Sequence, residues 1–119
     1  MSPRVIKNQG ARNRRAGHAY ELQLIHEHID LGFVDCVSSR SESKRMDDKG
    51  VDLMFTDPFR IQAKNVANSI QYDKTIGRMP KGKGMYNLVF HKRGPKQYVI
   101  MEKKDWYEIV GMLKKERII

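Results

Sequence analysis

Between Gly50 and Lys64 the chain is patterned as a hairpin: Val51 to Phe55, a turn at Thr56-Asp57-Pro58-Phe59, then Arg60 to Asn65. Side chains alternate along a strand, so Gln62 and Lys64 share one face while Ile61 and Ala63 share the other. On the first strand, Asp52 sits between apolar Val51 and Leu53. An Asp, an amide oxygen and a Lys can thus converge at the open end of one hairpin. Those are the groups needed to hold a divalent cation and a phosphate together. Taken singly each has an ordinary use: Asp52 as a turn-capping carboxylate, Lys64 as a lysine that lays its stem on apolar surface.

The rest of the chain supplies a frame for this hairpin. Leu22, Ile25 and Ile29 recur at helical spacing, which predicts a helix over Gly17 to Leu31 ended by Gly32. Phe33 to Val37 reads as a short strand and Ser38 to Lys49 as a polar loop. A short helix is expected over Val66 to Thr75 and a Gly/Lys-rich loop over Gly77 to Gly84. Strands follow at Tyr86 to His91 and Gln97 to Met101, turning around Gly94-Pro95. A last helix is expected from Asp105, with Glu108 completing a capping box and Trp106, Ile109, Val110 and Leu113 forming its apolar face. The order predicts a single small α/β domain, with a mixed central sheet of about five strands flanked by helices. Tyr72, Tyr86, Tyr98 and Trp106 are expected in the core.

The chain has 119 residues, enough for one domain with one core, and a formal net charge of +9. That balance favours a polyanionic partner. The charge is also grouped. The first twenty residues hold Arg4, Lys7, Arg12, Arg14 and Arg15 and no acid, and read as a mobile basic arm over residues 1–15. Arg40, Lys44, Arg45 and Lys49 precede Gly50, and Lys81 and Lys83 stand in the later loop. No long apolar run or signal segment is visible, and the single cysteine, Cys36, reads as a buried residue suited to a reducing cytoplasm. His26 and His28 are two apart on a helix and face different ways, which makes them a poor metal pair.

Glu21 lies beside the inward stripe of the first helix, next to Leu24, Ile25 and His28. A carboxylate there needs a partner, and the hairpin offers Lys64 and a second carboxylate. With Glu21, Asp52 and Gln62-Ala63-Lys64 in place, the chain resembles the PD-(D/E)xK nuclease superfamily. Within it the chain looks most like the archaeal-type Holliday junction resolvases, through Arg14-Arg15-Ala16-Gly17-His18-Ala19-Tyr20-Glu21, Gly32-Phe33 and Ser38-Ser39-Arg40. The resemblance covers residues 12 to 65, and beyond them only the order of elements agrees. Gln62 departs from the usual acid and is similar to the Gln-x-Lys of Mrr-type restriction endonucleases. It removes one negative charge, for which Asp47 and Asp48 nearby could compensate, although as residues of a polar loop they read first as solvated carboxylates.

The resemblance implies a restriction-endonuclease-like domain over residues 16–119 and metal-assisted phosphodiester hydrolysis. Glu21, Asp52, Gln62 and the Ala63 carbonyl would hold Mg²⁺, with Mn²⁺ as a substitute. Lys64 would orient the attacking water, and Ser39 or Ser38 with Arg40 would hold a phosphate. The DNA-binding set would be Arg4, Lys7, Arg12, Arg14, Arg15, Ser38, Arg40, Lys44, Arg45, Lys81 and Lys83. The expected partner is four-way junction DNA and the expected assembly a homodimer, in the cytoplasm (of a host cell where the source is viral), with no membrane and no small-molecule cofactor. Other readings are an Mrr-like duplex endonuclease, a non-catalytic nucleic-acid-binding module on the same fold, and a small basic RNA-binding protein.

Overall fold

The structure is a computed structural model that describes residues 10–119 in full and, for residues 3–9, the helical backbone alone. Arg4 and Lys7 therefore lie outside the residues whose side chains are described. The first helix, α1, runs Pro3–Asp30, not from Gly17. Residues 11–16 are Ala, Arg and Asn, mostly good helix formers, and a packed helix propagates easily into such a run even without an apolar face. The helix ends as expected at Gly32, which takes φ +115°. Phe33 N–H donates to the His28 carbonyl at 2.9 Å and Gly32 N–H to that of Ile29 at 3.0 Å, a Schellman closure.

The inward face of α1 is Tyr20, Leu24, Ile25 and His28. Leu22 and Ile29 are exposed, so the expected stripe is rotated around the helix: the sheet selects the row through Tyr20, Leu24 and His28. Phe33–Cys36 is a turn rather than a strand, closed by Cys36 N–H on the Phe33 carbonyl at 3.0 Å. The first strand, β1, is only Val37–Ser38. The polar stretch after it is also not a loop. It forms two short helices, α2 (Ser39–Glu42) and α3 (Lys44–Asp48). Ser38 Oγ caps the first by accepting from Arg40 N–H, and Ser43 Oγ caps the second by accepting from Met46 N–H.

The hairpin is formed by β2 (Leu53–Met54) and β3 (Phe59–Asn65), in register through Leu53 and Ile61. The next helix, α4, spans Tyr72–Gly77 and not Val66 to Thr75. Carbonyls at the start of that stretch are taken from the side: His91 Nε2 donates to Val66 O and Arg93 Nε to Ala67 O. Then β4 (Tyr86–Arg93) runs parallel to β3, with Ile61 beside Leu88, and β5 (Lys96–Ile100) pairs antiparallel to β4.

The last helix, α5, spans Lys103–Lys115 and is capped at Glu102 with no side-chain bond, so the Asp105–Glu108 capping box is not used. The helix opens two residues earlier, which leaves Asp105 inside its first turn.

The sheet order is β1-β2-β3-β4-β5, mixed, as the sequence implied. Its core on the α1 side joins Tyr20, Leu24, Ile25 and Cys36 to Leu53, Ile61 and Leu88. Ile76 and Met79 are buried by α4, which packs on β4. Of the four aromatics expected inside, only Tyr86 is buried. Tyr98 and Trp106 are exposed because β5 is the sheet's edge strand and α5 buries no residue fully, and Tyr72, at the start of α4, is exposed as well. Among the described residues no helix is long and apolar enough to cross a membrane.

Candidate functional site

Asp52 stands where β2 stops and β3 continues alone. Its backbone N–H donates to the Ile61 carbonyl at 2.8 Å, and its Oδ2 accepts from Ala63 N–H at 2.7 Å. The carboxylate thus takes the place of the next strand residue on the edge of β3. The N–H and C=O of one strand residue project to the same edge, so the Ala63 carbonyl points toward Asp52 as well. Burial pushes the Asp52 carboxyl up to about 6, reinforced by the nearby charges of Glu21 and Asp47. The Ala63 hydrogen bond and Lys64 pull in the other direction.

Glu21 reaches the same region from α1. It is largely buried, and its Oε2 accepts from Arg40 Nη2 at 2.9 Å. Burial raises its pKa despite the arginine, and Asp47 raises it further. Arg40 Nη1 donates to His18 Nε2 at 2.6 Å. Guanidinium has no acceptor, so His18 must offer a lone pair there and carry any proton on Nδ1. Arg40 is held in turn by α2. Its neighbour Ser39 is completely buried and donates its N–H to the Asp52 carbonyl at 2.9 Å.

Ser39 Oγ makes a long bond of 3.4 Å to Asp47 Oδ1. Its hydroxyl is therefore turned toward a neighbouring carboxylate. Asp47, read from sequence as a solvated loop residue, is half-buried on α3 and electrostatically coupled to both Glu21 and Asp52, while Asp48 is exposed. The signal for it was present in Ser43, whose cap on Met46 turns the run into a helix and Asp47 inward.

Gln62 is only 4 % exposed, and its Oε1 has no hydrogen-bond partner in the protein. Alternation places it on the sheet face away from α1, under Gly50. A Cβ on Gly50 would lie 3.1 Å from that oxygen, and Gly50 has φ +83°. Lys64, two residues on, is half-buried and near enough to lower the pKa of Asp52.

The sequence-predicted residues therefore divide. Glu21, Asp52, Ala63, Lys64, Ser39 and Arg40 meet around the free edge of β3, with Gln62 beneath it. Arg12, Arg14 and Arg15 are exposed on α1 beyond Ala16, whose carbonyl accepts from Asn65 Nδ2 at the same end of β3. Ser38 is used as a helix cap, and Lys44 and Arg45 are exposed on α3. Lys81 and Lys83 lie at the other end of β3. There Gly82 packs against the Arg60 guanidinium, and Arg60 Nη1 donates to the Pro80 carbonyl. His28 is buried, donating to the Leu24 carbonyl, and His26 is exposed, so they form no metal pair.

Among the described residues no three His, Cys, Asp or Glu side chains are placed to hold a metal ion by themselves. The donors present are nonetheless hard oxygens: two carboxylates, the Ala63 carbonyl, and a buried amide oxygen with no partner. Both carboxylates are held above their ordinary range partly by acidic neighbours. Such a set fits a hard divalent cation, whose charge would relieve that repulsion. Compared with protein-family models, curated proteins and solved structures, the chain matches none.

Proposed function

We propose that this chain is a metal-dependent, structure-selective DNA endonuclease that resolves four-way junctions. The observation that carries the reading is the placement of Asp52. It is locked onto the edge of β3 at Ala63 and coupled to Glu21 and Lys64. The element order, with an N-terminal helix, a three-strand meander, and a fourth strand parallel to the third across a helix, supports it too. So does the basic surface of α1 at the Lys64 end of β3.

Glu21 and Asp52, with the Ala63 carbonyl, would hold Mg²⁺ or Mn²⁺, and Gln62 would add its amide oxygen. The ion, when bound, polarises a phosphate oxygen and lowers the pKa of a water. Lys64 orients that water and stabilises the negative charge that grows on the phosphate as the water oxygen bonds to phosphorus and a bridging P–O bond breaks. The proton leaves to solvent. Arg12, Arg14 and Arg15 grip neighbouring phosphates. Symmetric cutting of two strands requires two copies, so a homodimer belongs to the proposal. Val99, Trp106, Tyr107 and Met112 give exposed apolar surface for one.

The test is a labelled four-way junction and a matched linear duplex, each incubated with Mg²⁺, Mn²⁺ or EDTA. Paired, metal-dependent nicks in the junction alone are expected. Lys64→Met should lower that rate by about 100-fold or more with little change in junction affinity. Equal cutting of duplex would replace the resolvase by a broader endonuclease. Tight binding with no cut under any metal would leave a binding module.

A further inference from the structure

Among the described residues, the ion pair at the site is Arg40 with Glu21, a residue proposed to hold the metal. Glu21 is 14 % exposed at its side chain and Arg40 is 40 % exposed. The acid is therefore fixed in the pocket while the base can leave it for solvent. Arg40 Nη2 takes Glu21 and Nη1 takes His18. The fork is divided between one charged and one neutral acceptor instead of closing on the carboxylate with two bonds.

The backbone beneath Arg40 is firmly placed. Arg40 N–H is capped by Ser38 Oγ at 3.2 Å, and the adjacent Ser39 is tied to Asp52. Only the long side chain is free to swing. A guanidinium and a divalent cation on the same Glu21 oxygen would repel each other strongly in a desolvated pocket. Of the two groups on Glu21, the exposed arginine side chain is the one able to give way.

Resting on the endonuclease reading above, we propose that Arg40 is an exchangeable counter-ion. It neutralises Glu21 in the metal-free protein, and passes to a DNA phosphate when the divalent ion takes Glu21. Its planar fork suits a phosphate better than a single carboxylate oxygen. Ion and DNA then each tighten the other, because each removes the competitor of the other, and this coupling is reciprocal. His18 is the second resting support, a positioning residue that no sequence signal indicated.

The experiment is Mn²⁺ titration followed by the loss of the free-ion electron paramagnetic resonance signal. It is run on the full chain alone and with a four-way junction carrying phosphorothioate linkages at the branch. Wild type should bind Mn²⁺ saturably, and about 10-fold more tightly with the junction present. Arg40→Met should bind Mn²⁺ several-fold more tightly than wild type without DNA, and most of the gain from DNA should vanish. His18→Ala should move the DNA-free affinity in the same direction by less. Melting curves of each variant guard against misfolding, and Arg40→Lys, which keeps charge without the fork, should retain only part of the coupling. Unchanged or weaker Mn²⁺ binding in Arg40→Met would overturn the exchange and leave the endonuclease reading standing. No saturable Mn²⁺ binding by wild type would overturn both.

Discussion

Asp52 is bound to Ala63 through one oxygen only: its Oδ2 lies 2.7 Å from the Ala63 nitrogen. That bond aims the carboxylate along the edge of β3, and burial leaves its pKa raised from 3.8 to about 6. For an acid the raised value means that the folded protein holds the proton more tightly than the unfolded chain. The associated stability is fully present below pH ~4 and is lost as pH rises through ~6. In metal-free protein, Asp52→Asn keeps an acceptor for Ala63 and removes the charge. It should be more stable than wild type at pH 7.5 by up to about 3 kcal/mol, with the gap closing toward pH 4. Thermal melts across that range check it. Ion affinity of wild type should also fall below pH ~6, as protons compete for Asp52.

Asp47 raises the pKa of both Glu21 and Asp52. Asp47→Asn keeps the oxygen that takes the Ser39 hydroxyl and deletes the charge. The Asp52 titration, followed by carboxyl-carbon NMR, should move to lower pH. Mn²⁺ affinity should fall by several-fold, since an anionic neighbour of the ion is lost. Asp48→Asn, at an exposed position, should change neither.

Gly50 stands at φ +83° with the Gln62 amide against it. Gly50→Ala meets both a left-handed backbone and a 3.1 Å approach to Gln62 Oε1. A loss of roughly 1–3 kcal/mol is expected, read as the denaturation midpoint. Gly111→Ala, where a Cβ would meet nothing and the residue is helical, should instead be neutral or stabilising.

Phosphate contacts from α1 should appear in the salt dependence of DNA binding. Each neutralised phosphate contributes a slope of about −0.9 in log affinity against log salt. Replacing Arg12, Arg14 and Arg15 by Ala should flatten that slope by up to about 3, on junction and duplex alike. Replacing Lys81 and Lys83, at the far end of β3, should affect the junction more than the duplex if that loop touches the branch, which fluorescence anisotropy at several salt concentrations measures.

Most of the sheet was legible because its longer strands are β-branched and aromatic runs and Gly94 and the Asp57-Pro58 turn mark their ends. Asp52, Glu21 and Lys64 were legible because charged residues beside Leu53, Leu24 and Ile61 need partners. The start of α1 was not: a polar, basic run has no apolar period, and its helicity comes from propagation out of the packed half. Nor were α2 and α3, where serines that look like loop residues are helix caps. The inward row of α1 was placed on the wrong face, two residues round from the true one, since Leu22 looks more apolar than Tyr20 and only the sheet decides between them. Arg40's pairing with Glu21 joins positions nineteen apart in sequence, and no local pattern reports it.

An uninterrupted α1 also fixes a distance. Arg12 and Glu21 share one rod, nine residues apart, so about 14 Å separates them along its axis. That is roughly four nucleotide steps of one strand. On the endonuclease reading the helix acts as a ruler: phosphates gripped by the arginines sit a set number of nucleotides from the cut. Hydroxyl-radical footprints should then keep one constant offset from the nick, whichever junction arm is bound.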